Sequence, residues 1–128
     1  MCASTLWTRN LFAGVNRPTD PINLTDLEKM HLPTIDAPSQ VGLGQCFDVT
    51  IEIGRMLPHP KARNHFIEFI DLYADDQFLA RANLTAVNSC PVVRMRISLS
   101  VPTGQLRAYG RCNMHGVWTS DQPIAVSE

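Results

Sequence analysis

Apolar and polar residues alternate along three segments of this 128-residue chain, 46–53, 78–86 and 93–101. A period of two is typical of a β-strand that has one buried face and one face in water. Residues 65–73 are rich in β-branched and aromatic side chains, and residues 105–112 follow a Pro-Thr-Gly turn, so both segments predict further strands. The pattern predicts an all-β fold, an antiparallel sandwich of about seven strands.

One short helical turn precedes these strands. Thr25 and Glu28 have the spacing of a capping box, in which each side chain accepts a hydrogen bond from the backbone N–H of the other residue. Pro33 follows soon afterwards and cannot continue a helix. No period is sustained before this turn, so we predict an N-terminal extension over 1–25 and a β-sandwich domain over 26–128.

Composition narrows the class of protein. Hydrophobic residues make up 45% of the chain and charged residues 18%, which argues against disorder. The net charge of -1 argues against a surface for nucleic acid. The chain shows no secretory signal pattern and no apolar run of the roughly 18 residues that a membrane span needs. We therefore expect a cytoplasmic protein with reduced thiols and with no nucleic-acid or membrane partner.

The histidines fall in loops or at the ends of predicted elements, where a scaffold commonly presents functional groups. His59 lies between two prolines, which fix the backbone on both sides of it. Cys112 and His115 form a Cys-x-x-His step at the end of a predicted strand, and His65 adds a further imidazole. A thiolate together with several neutral imidazoles suits Fe²⁺, Zn²⁺ or copper. These residues predict a metal site.

Four motifs in the chain resemble the superoxide reductase (neelaredoxin) family. They occur in the family's order from about residue 28 to residue 118. The motifs are Glu28-Lys29-Met30-His31-Leu32-Pro33, His59-Pro60, His65-Phe66-Ile67, and Cys112-Asn113-Met114-His115-Gly116-Val117-Trp118.

The resemblance implies an immunoglobulin-like β-sandwich with one iron, Fe²⁺ or Fe³⁺, in each chain. Four histidines would be equatorial ligands and a cysteine thiolate the axial one, with the sixth position open to solvent. The implied ligands are His31, His59, His65, His115 and Cys112. The implied activity is superoxide reductase, an antioxidant enzyme that reduces superoxide by one electron to hydrogen peroxide. A rubredoxin-like protein would re-reduce the iron, and the chain would assemble as a homotetramer.

One departure from the family pattern concerns two further site residues. In the family, Glu and Lys directly precede the first histidine, whereas here Met30 separates Lys29 from His31. The resemblance implies that Glu28 closes the sixth position in the oxidised state and that Lys29 attracts superoxide. Glu28 also completes the predicted capping box, so a purely structural role is its alternative.

Two other functions compete with this interpretation. A cupredoxin-like electron-transfer protein also carries Cys and His on one late loop of a sandwich. It needs only two histidines and an axial Met, and here Gly116-Val117-Trp118 follows the last histidine instead. The second alternative is a metal-binding β-sandwich module without catalysis.

Overall fold

The alternating segments form the strands of a sandwich. The structure is a computed structural model that describes residues 14–128. Within these residues it contains ten strands and one helix. The elements are β1 (Val15–Asn16), α1 (Asp26–His31), β2 (Pro33–Asp36), β3 (Gln40–Gly42), β4 (Phe47–Ile53), β5 (Ile67–Ala74), β6 (Gln77–Asn83), β7 (Val92–Ile97), β8 (Gln105–Cys112), β9 (Gly116–Pro123) and β10 (Ala125–Ser127).

The strands form three sheets. A five-stranded sheet has the order β1-β9-β8-β5-β6, a three-stranded sheet has the order β2-β4-β7, and β10 pairs with β3. Neighbours are antiparallel except in the short pairs β1–β9 and β10–β3, which are parallel. Seven of the strands have four residues or more. The predicted all-β sandwich with one short helical turn is confirmed.

The core lies where β4 faces the five-stranded sheet. Val49 and Ile51 on β4 are fully buried, as are Ile70 on β5 and Leu106 on β8. Burial of each such side chain contributes about 1.5–3 kcal/mol. The two sheets approach closely at Gly110, where a Cβ atom would collide with the Ile53 side chain. This contact brings the end of β4 next to β8, and the candidate site lies at this end of the sandwich.

Strand β6 departs from the predicted pattern. The sequence places Phe78 on the same apolar face as Ala80 and Ala82, but Phe78 is 51% exposed. The β5–β6 register shifts between Leu72 and Tyr73, so Phe78 pairs with Tyr73 on the outer face of the sheet. A bulge reverses the face that later residues present, and alternation alone does not reveal where it occurs. Strands β6 and β7 also end earlier than predicted, at residues 83 and 97.

The N-terminal segment is described from residue 14 onwards. Val15 and Asn16 pair with Val117 and Trp118 of β9, and the Asn16 side chain donates to the Val117 carbonyl over 2.9 Å. Residues 1–13 of the predicted extension, with Cys2, lie outside the described residues. The division of the chain at residue 25 stays a prediction. No helix in the described residues has the length and hydropathy that a membrane crossing requires.

Candidate metal centre

Helix α1 delivers the first histidine. Both hydrogen bonds of the predicted capping box are present: the Glu28 N–H donates to Thr25 Oγ1 over 3.1 Å, and the Thr25 N–H donates to Glu28 Oε1 over 2.9 Å. The helix ends where Leu32 donates its N–H to the Glu28 carbonyl and Pro33 begins β2. His31 is therefore the last helical residue, and it is 1% exposed.

The loop between β4 and β5 delivers two more histidines. Gly54 begins it with a φ of 95°, and a Cβ atom there would lie 2.7 Å from the His59 backbone nitrogen. Glycine is required on both counts, because other residues rarely adopt this φ and no side chain fits. His59 is buried next to Pro60, and an Ala62–His65 bridge turns the chain back so that His65 lies just before β5.

The turn between β8 and β9 delivers the cysteine and the fourth histidine. Cys112 is the last residue of β8 and pairs with Gly116, the first residue of β9. Gly116 has a φ of 79°, which closes the turn that contains His115. The indole N–H of Trp118 donates to the His115 carbonyl over 3.0 Å. The same indole stacks on the His31 ring at a centroid distance of 5.0 Å.

These three segments converge on one point. One ligand atom from each of His31, His59, His65 and Cys112 lies within 4.8 Å of the others. His115 is next to this group, with its Nδ1 3.7 Å from Cys112 Sγ and its ring centroid 5.0 Å from that of His65. The structure thus brings all five predicted ligands together. Their individual assignment as ligands, including His115 as the fifth, stays a prediction.

The buried nitrogens of the cluster match the needs of a metal ion. His31 Nδ1 lies 2.7 Å from the Leu27 carbonyl and His59 Nδ1 lies 2.6 Å from the Pro60 carbonyl, so both rings donate from Nδ1. That tautomer leaves the Nε2 lone pair free, as in metal-binding histidines generally. Nε2 of His31, His59 and His65 is buried without a hydrogen-bond partner. Three converging unpartnered ring nitrogens next to a thiol fit a cation that prefers nitrogen and sulfur ligands.

Burial sets the protonation of the cluster. It lowers the pKa of His31 and of His59 to about 4, with a smaller contribution from the neighbouring imidazoles. Burial also lowers the pKa of His65. At neutral pH these rings are therefore uncharged, which is the form that binds metal ions.

Two effects shift the pKa of the Cys112 thiol in opposite directions. Burial raises the pKa of its thiol, while the backbone N–H groups of Met114 and His115 donate to the sulfur and partly oppose that shift. Coordination to a cation deprotonates a thiol outright, so a bound metal would overcome the effect of burial.

Glu28 and Lys29 differ in their placement. Glu28 is 1% exposed, and its second carboxylate oxygen accepts a hydrogen bond from the Thr19 N–H over 3.0 Å. It precedes His31 by three residues and therefore lies on the same face of α1. Lys29 is partly exposed and precedes His31 by two residues, which is about 200° around the helix. The catalytic roles that the resemblance implies for both residues stay predictions.

Three supporting residues were not assigned these roles by sequence reasoning. Gly54 admits the His59 loop, Trp118 contacts two histidines, and Asn113 binds the backbone on both sides of His65. Asn113 and Trp118 lie inside the Cys-Asn-Met-His-Gly-Val-Trp motif, but nothing in the motif shows what they contact. The sequence around Gly54 does not indicate its role, because that role depends on the path of the loop that carries His59.

Comparisons with known proteins agree with this geometry. The model of the desulfoferrodoxin family matches residues 23–121. A candidate superoxide reductase of Methanocaldococcus jannaschii is 37% identical over 116 residues, which cover 88% of this chain and 95% of the relative. The neelaredoxin of Megalodesulfovibrio gigas is 29% identical over 114 residues, which cover 75% of this chain and 87% of the relative.

A solved structure extends the likeness to three dimensions. The superoxide reductase (neelaredoxin) of Ignicoccus hospitalis superposes with a TM-score of 0.68 at 31% identity. The superposition covers 76% of this chain and 81% of that one. The family match includes α1 and β2 to β8, and it reaches into β9 beyond the Cys112–His115 turn. The chain therefore belongs to the desulfoferrodoxin family, with superoxide reductases and neelaredoxins as its relatives.

Proposed function

We propose that this protein is a superoxide reductase, which reduces superoxide by one electron to hydrogen peroxide at a single iron in each chain. The observation that carries the proposal is the convergence of three unpartnered buried imidazole nitrogens with the Cys112 sulfur. His31, His59, His65, His115 and Cys112 would hold the iron. When bound, the iron supplies the electron for superoxide, and the thiolate donates electron density to it.

The burial of the ligands indicates where superoxide would reach the site. Cys112 lies in the core with no exposed surface, and His31 and His59 are also buried. His65 and His115 are only partly buried. The solvent side of the cluster is therefore the side of His65 and His115, and a small anion would approach from there. The two protons that peroxide needs would come from water, from Glu28 or from Lys29.

The alternatives are less compatible with the cluster. A cupredoxin-like site would use Cys112 with two histidines and would leave two other imidazoles unexplained in the same cluster. A structural metal site is usually filled by four protein ligands in a tetrahedron, which would leave one of the five side chains in this cluster unexplained. The partial exposure of His65 and His115 favours a site with an open position.

The electron donor and the assembly rest on the family resemblance. A rubredoxin-like protein would restore the ferrous state after each turnover. The chain would form a homotetramer.

The activity is tested by mixing the reduced, iron-loaded protein with a pulse of superoxide. We expect one molecule of peroxide for each superoxide consumed and no oxygen, because the electron comes from the protein. Stopped-flow spectroscopy with peroxide and oxygen measurement checks this. Oxygen released at half the superoxide consumed would show a dismutase. No consumption by iron-loaded protein would favour a module without catalysis.

Lys29 is proposed to attract superoxide through its charge. The attraction between a cation and superoxide acts over roughly 8–10 Å at moderate salt and needs no direct contact. Lys29, two residues before His31, is close enough to the metal centre for this attraction. A unit charge at about 10 Å in water contributes ~0.4 kcal/mol. Lys29→Ala should therefore slow the bimolecular step about twofold and weaken its dependence on salt.

A distant cation provides the matched control for Lys29→Ala. Arg96 pairs with Asp48, which lies five residues before the end of β4 at Ile53, about 17 Å away along the strand. Arg96→Ala removes the same charge and should leave the rate unchanged. Equal rates for both variants would assign the attraction of superoxide to another cation.

A further inference from the structure

Asn113 lies between two predicted metal ligands and binds the segment that carries a third. Its backbone N–H donates to the Phe66 carbonyl over 3.2 Å. Its side-chain Oδ1 accepts from the Phe66 N–H over 2.9 Å, and its Nδ2 donates to the Asn64 carbonyl over 3.0 Å. Three hydrogen bonds thus hold the residues on both sides of His65.

These bonds occur where the regular sheet ends. The last paired residues of β5 and β8 at this end are Ile67 and Cys112, and the register shifts between Ile67 and Phe69. Beyond this pair, the backbone hydrogen bond from the Asn113 N–H to the Phe66 carbonyl is joined by the two bonds of the Asn113 side chain. The Asn113 amide continues the connection for one more step, from the Cys112–His115 turn to the His65 segment.

The amide group is chemically suited to this position. It accepts from one backbone group and donates to another at the same time, whereas a carboxylate only accepts and an apolar side chain does neither. Met114, the next residue in the same turn, has a side chain that is nearly half exposed. The two neighbours therefore differ clearly: one side chain is tied to the backbone and the other faces solvent.

We propose that Asn113 is a positioning residue that fixes His65 relative to Cys112 and His115 and so maintains the ligand geometry of the metal centre. This inference rests on the proposed function in that it requires these residues to bind a metal. Asn113 acts through the Asn64 and Phe66 backbone, which flanks His65. Outer residues that orient a ligand in this way typically change metal affinity about 10- to 100-fold when they are removed.

The test uses Co²⁺ as a spectroscopic metal in the full-length protein. Affinity is measured by competition with a chelator, and ligand geometry by the visible spectrum of the Co²⁺ form. Asn113→Ala should bind Co²⁺ about 10- to 100-fold more weakly, with an altered spectrum. Asn113→Ser replaces the amide by a neutral hydroxyl that can still form a hydrogen bond. Its Co²⁺ affinity should lie between those of wild type and Asn113→Ala. Amide exchange should be faster at Phe66 in both variants without metal.

Two control variants separate positioning from a general structural effect. Asn64→Ala keeps the backbone carbonyl that Asn113 binds, and Met114→Leu changes the exposed neighbour in the same turn. Both should bind Co²⁺ as wild type does. A lower unfolding temperature in Asn113→Ala with unchanged Co²⁺ affinity and spectrum would overturn the proposal.

Other outcomes are equally decisive. If Asn113→Ala does not fold, wild-type affinity in Asn113→Ser overturns the inference on its own. Wild-type protein that binds Co²⁺ while its iron form leaves superoxide unconsumed would refute the proposed function. Weakened Co²⁺ binding in the variants would still support the positioning role in that case, so the two failures are distinguishable.

Discussion

Cys112→Ser should abolish the thiolate-to-iron charge-transfer band of the oxidised protein. It should also lower iron affinity by more than the roughly 10- to 100-fold lost when a residue that only orients a metal ligand is removed. A serine hydroxyl is not deprotonated at neutral pH and is a poor ligand for iron next to neutral imidazoles. Peroxide production from superoxide should fall with the loss of iron. Metal analysis, the visible spectrum and the superoxide pulse measure these three quantities.

The buried position of Cys112 calls for a second variant. The side chain has no exposed surface, and the backbone N–H groups of Met114 and His115 that donate to its sulfur would also meet a serine hydroxyl. Cys112→Ala removes the ligand without adding a polar group. Both variants should therefore lack the band, and Cys112→Ala shows that the loss does not depend on the hydroxyl that serine introduces.

The chain supplies matched controls for the loss of a thiol. Cys46 and Cys90 are free and exposed, so Cys46→Ser and Cys90→Ser should retain the band, the iron and the activity. Persistence of the band in both Cys112 variants would exclude Cys112 as the thiolate ligand. Copper or zinc as the main metal in protein purified without added metal would argue against an iron enzyme.

The sequence predicted local features of the site well, because they depend on residues close together in the chain. The capping box at Thr25 formed as expected, since both partners lie within one turn. The Cys112–His115 step formed a tight turn because Gly116 adopts the positive φ that closes it. The Pro58-His59-Pro60 segment kept His59 in a loop, between β4 and β5, with its Nδ1 directed to the adjacent Pro60 carbonyl.

Features that depend on distant residues were not predictable. The bulge that places Phe78 on the outer face depends on how β5 pairs with β6. The stacking of Trp118 on His31 joins β9 to α1, two elements that are 87 residues apart at this contact. The close approach at Gly54 exists only once the loop has folded back on β4. Such contacts require the assembled sandwich, because no local pattern encodes them.

The capping box and the family resemblance assign different roles to the Glu28 carboxylate. The helix uses both carboxylate oxygens, one for the Thr25 N–H and one for the Thr19 N–H. The family resemblance assigns the same carboxylate to the sixth position of the oxidised iron. To reach that position, Glu28 would have to release these backbone groups at about 0.5–1.5 kcal/mol each.

The capping role predicts a loss of stability that needs no metal. Glu28→Ala leaves two backbone N–H groups without their carboxylate partner, so we expect a loss of about 2 kcal/mol in the unfolding free energy. Glu28→Gln keeps one acceptor oxygen and should lose about 1 kcal/mol. Urea unfolding of the metal-free protein measures both values.

An acidic neighbour in the first turn of α1 provides the control for Glu28. Asp26 is exposed and, unlike Glu28, closes no capping box, so Asp26→Asn changes the same charge near the helix N-terminus at a cost below about 1 kcal/mol. Because His31 ends the same short helix, the loss of order in Glu28→Ala should also weaken metal binding. Wild-type stability in both Glu28 variants, together with an altered spectrum of the oxidised iron form, would instead place this carboxylate at the sixth position.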